Sequence, residues 1–277
     1  DRPTGCPRPR TSLDLEDLEL PGGAVVVALG AQVGTVVVGV DDEQRPLFAH
    51  RHRLLVEGAD LFPRPQSRLQ LGAWAHAVGA DGRVLGVDIA EPMLAIARQR
   101  CSASPQVAFA LADVTALPHA DASFDIALAT QVYEYVEDID HALAELARVI
   151  RPGGRVLLVD TDWESAVWAS SDNARMRRVL DTWNEHIPHP QLPRELKRRM
   201  QQAGFRSVRV EVVPLLNLAY DPQTYSIGMM DVIGSFVSGR NGLTAQDISA
   251  WKADARAMGE RDAYFFSLNR YVFMAQR

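Results

Sequence analysis

A chain of 277 residues, 47% hydrophobic and 23% charged, is long enough to bury a sizeable core without metal or disulfide staples. A net charge of −6 and a pI near 5.7 exclude the broad basic stripe of a general nucleic-acid binder. Two cysteines, Cys6 and Cys101, exclude a disulfide scaffold and a four-cysteine zinc site, and they fit a reducing cytoplasm.

The chain opens at Asp1 rather than methionine, as a fragment or a processed product does, and no charged-then-apolar signal segment starts it. Residues 1–69 form an atypical N-terminal segment. Arg, Pro, Val and Gly dominate it, helical periodicity is hard to find, and Pro63-Arg64-Pro65 is a further break. Within it, Ala24 to Val40 carries no charge and approaches the length of a membrane span. Its Val and Gly content, with Gln32 and Thr35 inside, predicts two strands around a turn near Gly30 to Gly34 instead.

From residue 70 to 277 strands and helices alternate, as in a mostly parallel sheet covered on both faces. Arg83 to Asp88 is a short apolar run ending in an acid. Glu91 to Cys101 reads as a helix, with Pro92 in its first turn and Met93, Ile96, Ala97 and Arg100 at helical spacing. Val107 to Leu111 is the next strand, with Asp113 just beyond it, and Phe124 to Thr130 is another. A helix over Asp138 to Ile150 puts Leu143, Leu146, Ala147 and Ile150 on one face. Arg148 and Arg151 lie at its C-terminal end, and Pro152-Gly153-Gly154 stops it. Arg155 to Asp160 is a strand, Arg194 to Ala203 a helix closed by Gly204, and Ser207 to Val213 and Tyr271 to Ala275 complete the strands. Residues 217–268 read as a mostly helical, aromatic-rich insertion or lid. The fold class is α/β and Rossmann-like, with its first strand–loop unit missing or divergent.

Ligands of open parallel sheets bind beyond the carboxyl ends of the strands. Three predicted strands end in or just before an acid: Asp88, Asp113 and Asp160. An acid ending the second strand of such a sheet accepts hydrogen bonds from both hydroxyls of a ribose, and one at the next strand end suits an exocyclic adenine amine. Asp also caps helices and forms turns everywhere. Three in register favour a nucleoside-containing cofactor.

The runs GRVLGVDIAEPMLAIAR (Gly82 to Arg98), ADVTALPHADASFDIAL (Ala112 to Leu128) and RVIRPGGRVLLVDTDW (Arg148 to Trp163) resemble class I S-adenosylmethionine-dependent methyltransferases. Within that class they are similar to the group that includes ubiquinone- and menaquinone-biosynthesis C-methyltransferases. The spacing of acid, LP, SFD and RPGG carries the resemblance. It implies that Asp88 binds the ribose of S-adenosylmethionine, with Ile89 packed on the adenine. It implies that Asp113 reaches the adenine amine beside Val114, and that Thr130 and Gln131 lie near the methionine end. The acceptor it implies is a small molecule; the residues themselves favour no membrane span and no metal site.

The family also carries D-x-G-x-G-x-G about twenty residues before the acid at position 88, where glycines admit the cofactor backbone closely. Here Pro63 to Gly82 offers only Gly72 before the turn at Gly79. Leu71 to Val78 is all that resembles the first helix. One account is a shifted reading frame before about Gln70; the other takes the strand and turn from Val25 to Gly34, at the cost of a very long connection. Short loops favour the first. Loss of the loop predicts weak or absent cofactor binding, and a catalytically inactive binding protein is the alternative function. A nicotinamide dehydrogenase would need its own G-x-G-x-x-G, also missing, and would not explain SFD or RPGG.

No residue is singled out as catalytic. The turns after the fourth and fifth strands predict a substrate wall of Tyr133, Asp162 and Trp163, with Gln131, Glu134 and Asp160 beside it. The bland readings are packing for Tyr133 and Tyr135, a helix cap for Asp162, and core or lid for Trp163. Tyr135 stands where the family often has His. His186 and His189 read as a surface loop rather than a metal site, Cys101 as packed, and Tyr264-Phe265-Phe266 as core.

Overall fold

The computed structural model describes residues 25–30, 34–40 and 82–277. Its centre is an eight-stranded sheet: β1 (Val25–Gly30), β2 (Gly34–Val40), β3 (Val84–Asp88), β4 (Val107–Leu111), β5 (Phe124–Thr130), β6 (Ile150–Trp168), β7 (Arg206–Asn217) and β8 (Phe266–Gln276). The order is β4-β3-β1-β2-β5-β6-β8-β7, with β2 also paired to β3 and β1 to β5. β3 runs parallel to β4 and to β1, and β5 parallel to β6, whereas β8 is antiparallel to both β6 and β7. Val25–Gly30 and Gly34–Val40 are two antiparallel strands, and β1 sets Leu29 opposite Asp88. A central position in a sheet suits Val-rich runs without charge. Residues 63–81, where the glycine loop and first helix were sought, lie outside the described residues. No helix among the described residues is long and apolar enough to cross a membrane.

The helices are α1 (Glu91–Arg100), α2 (Ile139–Val149), α3 (Asn173–Trp183), α4 (Pro193–Gln202), α5 (Tyr225–Val237) and α6 (Ala245–Glu260). α2 starts where Asp138 accepts the backbone N–H of His141, and it buries Leu143, Leu146 and Ala147 as its spacing predicts. Those residues join Phe124, Ile150, Leu158, Phe205 and Phe273 in the main core. A second core lies under α3, α5 and α6, where Trp168, Trp183, Ile233, Trp251 and Phe266 meet. Trp168 stands edge-on to Trp251 and Phe266 at 5.4 and 4.7 Å. α5 and α6 lie within the 217–268 stretch, whose ends belong to β7 and β8; α3 shares their core and was not legible as a helix. Tyr264 and Phe266 are core; Phe265 is partly exposed.

The signature pieces turn out to be staples. Arg148 of α2 donates to the carbonyls of Leu117 and His119 and to Asp121, while Glu145 accepts from the Leu117 N–H. Arg151 pairs with Asp125, the acid of SFD. In RPGG, Gly153 adopts φ +80°, and Gly154 passes so close that a Cβ would lie 2.6 Å from Ile150 Cγ2 and 2.8 Å from the Asp125 carbonyl. The backbone of this turn also exchanges hydrogen bonds with Arg277. Gly154→Ala is therefore expected to lower stability by about 2 kcal/mol through overpacking. Gly153→Ala has open space around it and should cost about 1 kcal/mol from backbone strain alone. Denaturant titration of both variants checks the order.

Candidate functional site

The apolar run of β3 carries its terminal acid inward, leaving Asp88 only 2% exposed. Its Oδ1 accepts the Ala90 N–H at 2.7 Å, while Oδ2 is buried without a partner. Burial pushes its pKa up to about 6, against the pull of the Ala90 and Ile89 backbone N–H groups. The next strand end lies alongside: Leu111 is opposite Asp88, and the Ala112 N–H donates to the Asp88 carbonyl at 3.0 Å. Asp113 follows on the same rim, exposed, its Oδ1 held by the N–H and hydroxyl of Thr115. Val114 packs against the main core. Ile89 and Leu111 stand 60% and 59% exposed on either side of the Asp88 pairing. A buried acid with a spare acceptor, flanked by bare apolar side chains, fits a nucleoside: hydroxyls for the oxygen, a purine face for the side chains.

At the end of β5, Thr130 sits opposite Val159, buried, with its hydroxyl unpartnered. The chain then turns sharply at Gln131, whose φ of 53° is left-handed and costs a non-glycine residue about 1–2 kcal/mol. The turn is held by Gln131 N–H to the Val159 carbonyl at 2.6 Å and Gln131 Nε2 to Thr161 Oγ1 at 2.9 Å. It delivers Glu134 beneath β6. There Oε2 accepts the Thr161 N–H at 2.9 Å and Oε1 the Trp163 indole at 3.3 Å, while the Glu134 N–H reaches Asp160 Oδ1 at 3.4 Å. Both acids are fully buried, and Asp160 Oδ2 has no partner. Burial pushes Glu134 up to about 7 despite the Thr161 and Trp163 bonds, and pushes Asp160 well above the carboxylate range, with the charge on Glu134 adding to it. Burial thus favours the protonated form of both acids, and ionisation of one opposes ionisation of the other.

Comparison with known proteins bears on this rim. A family described as a methyltransferase domain matches residues 69–158. An uncharacterized 37.1 kDa protein in transposon TN4556 of Streptomyces fradiae is 36% identical over 157 residues, covering 55% of this chain and 44% of that one. The malonyl-[acyl-carrier protein] O-methyltransferase of Methylococcus capsulatus is 27% identical over 193 residues, covering 66% of this chain and 67% of that one. The 2-phytyl-1,4-naphtoquinone methyltransferase of Thermosynechococcus vestitus is 34% identical over 157 residues, covering 51% of this chain and 68% of that one. The chain belongs to the methyltransferase family. It spans less than half of the transposon-encoded relative and about two thirds of the other two. The cofactor that goes with this membership is S-adenosylmethionine.

The methyltransferase's expected substrate wall is less open than its sequence suggests. Tyr133 is 1% exposed and belongs to the main core. Asp162 is not a helix cap: it lies within β6 and takes both Nε and Nη2 of Arg194 at 3.0 Å. Trp163 is buried, tied to Glu134, and edge-on to Trp183 at 5.5 Å. His186 is not in a surface loop either. It stacks on Trp183 at 3.7 Å, faces Trp163 and Tyr135 edgewise, and is held neutral by burial, its pKa pushed down to about 4. His189 Nε2 lies 3.3 Å from the Glu137 carbonyl, and no group of metal-binding side chains occurs among the described residues. Cys101 is a buried thiol, as its helix end predicts. Two residues were poorly signalled. Glu134 looked like one wall residue among several and is the centre of a network; Arg270, inside an apolar strand run, offered only its charge as a clue.

Proposed function

We propose that this methyltransferase transfers a methyl group from S-adenosylmethionine to a small-molecule acceptor. The observation that carries the cofactor half is the buried, unpartnered Oδ2 of Asp88 between exposed Ile89 and Leu111. Asp88 would take the ribose hydroxyls, Ile89 and Leu111 the faces of the adenine, and Asp113 with Val114 its edge. Thr130 and Gln131 would flank the methionine end, where the Thr130 hydroxyl is still unsatisfied. Bound there, S-adenosylmethionine supplies an activated methyl group. The remaining work of the chain is alignment and exclusion of water, which the second core under α3, α5 and α6 suits. A base is needed only if the acceptor must lose a proton. The acceptor reading has Tyr133, Asp162 and Trp163 supporting the pocket from behind. A buried thiol and an acidic surface fit a cytoplasmic protein that does not bind nucleic acid.

Calorimetry with S-adenosylmethionine tests this reading: micromolar binding would support it and overturn the weak or absent binding that loss of the glycine loop predicts. Absence of binding at millimolar cofactor would instead support the inactive alternative that loss of the glycine loop suggests. Release of S-adenosylhomocysteine in the presence of quinols, phenols or amines then separates turnover from binding.

A further inference from the structure

Arg148, Arg151, Arg175, Arg194 and Arg199 each pair with a carboxylate. Arg270 does not: among the described residues no acid lies within salt-bridge distance of it, and its Nε is buried without a hydrogen-bond partner. Its placement is specific. Arg270 pairs across the sheet with Thr161, and directly paired residues project from the same face. On that face Thr161 Oγ1 receives the Gln131 amide, so the guanidinium projects on the side where the cofactor rim turns into β6. Its Cζ lies 5.1 Å from the ring centroid of Tyr225, the first residue of the lid helix α5. It is also near enough to favour the ionised forms of Glu134 and Tyr135. A half-buried guanidinium that meets its anionic neighbour Glu134 only beyond ion-pair distance keeps N–H donors free, and paired N–H donors recognise oxyanions.

We propose that Arg270 receives an oxyanion of the methyl acceptor, a carboxylate or a phenolate, whose apolar body lies against Tyr135 and Tyr225. This rests on the lid side of the rim being the acceptor side. It narrows the substrate class to small acids with an apolar or aromatic frame. It also gives the acceptor a fixed orientation, since an anchor at Arg270 holds the far end while the reacting atom faces the methionine end.

Binding of two matched probe pairs to the full chain, measured by calorimetry without cofactor, tests the proposal: 1-naphthoate against 1-naphthamide, and 4-nitrophenolate against 4-nitroanisole. At least one anion should bind about tenfold tighter than its neutral partner, the factor expected of one charge-assisted contact. The pair that shows the preference tells carboxylate from phenolate. Arg270→Met should erase the preference, and Arg270→Lys should keep part of it, with thermal unfolding as the control for folding. Equal binding of anion and neutral probe by the wild-type chain, no binding of either anion, or a preference that survives in Arg270→Met would overturn it. The wild-type comparison decides even if the methionine variant does not fold. Failure of S-adenosylmethionine to bind would count against methyl transfer and leave the anion preference readable on its own.

Discussion

Asp88→Ala is expected to weaken S-adenosylmethionine binding at least about a hundredfold, because two hydroxyl bonds to a charged acceptor are worth about 1.5–3 kcal/mol each. Asp88→Asn should weaken it too, yet raise the unfolding temperature at pH 8. In the ligand-free chain the carboxylate is buried with Oδ2 unpartnered, so its charge is a cost to the fold. The direction with pH follows. The folded pKa, about 6, lies above the ordinary value of 3.8, so protonation favours the free fold and ionisation favours the ribose. Affinity should therefore rise as pH increases through about 6, and binding near that pH should release a proton. Calorimetry in buffers of different ionisation heat reads both. A pH-independent affinity, or wild-type binding by Asp88→Ala, would remove Asp88 from the site.

Replacing Glu134 should give the largest loss of stability. Glu134→Ala strips the acceptors from the Thr161 N–H and the Trp163 indole in a fully buried position, at a cost of about 3 kcal/mol. Glu134→Gln keeps one acceptor and should cost less. The pH dependence has a definite sign. Because burial raises both Glu134 and Asp160, their contribution is fully present below the ordinary carboxylate pKa and is lost as pH rises through about 7 for Glu134. The stability of the wild-type chain should thus fall as pH rises from about 4.5 to about 7, by up to about 1.4 kcal/mol per pH unit for Glu134. The fall should shrink in Glu134→Gln and in Asp160→Asn, where the second acid no longer resists ionisation of the first. Scanning calorimetry across that range measures it; an identical slope in all three proteins would show that the pair does not titrate with unfolding.

Much of the sheet was readable because its strands are brief apolar runs closed by a polar residue. Val107–Leu111 and Phe124–Thr130 have the predicted bounds, and Val84–Asp88 starts one residue later. α2 was readable from its period and from its Asp138 cap. The eight residues of β6 beyond Asp160 were not, since TDWESAVW mixes charge, small residues and tryptophan with no clean alternation. What makes that stretch a strand is its antiparallel neighbour, β8, over a hundred residues away in sequence. α3 was missed for a related reason: its run of arginines hides an apolar face that finds its partners only in the core it shares with α5 and α6.

By itself the amino-acid order determined the acids at the strand ends, the spacing of LP, SFD and RPGG, and hence the class of fold, because each depends on neighbours close along the chain. Tertiary structure alone decided what those features do. It turned the signature into staples that tie α2 to the Leu117–Asp121 loop, β6 to β5, and the glycine pair to the C-terminus. It moved Asp162 from a cap to an ion pair, half-buried His186 among tryptophans, and left Arg270 in no ion pair among the described residues. Burial and partner choice are long-range properties, set when distant segments pack together, and no local pattern encodes them.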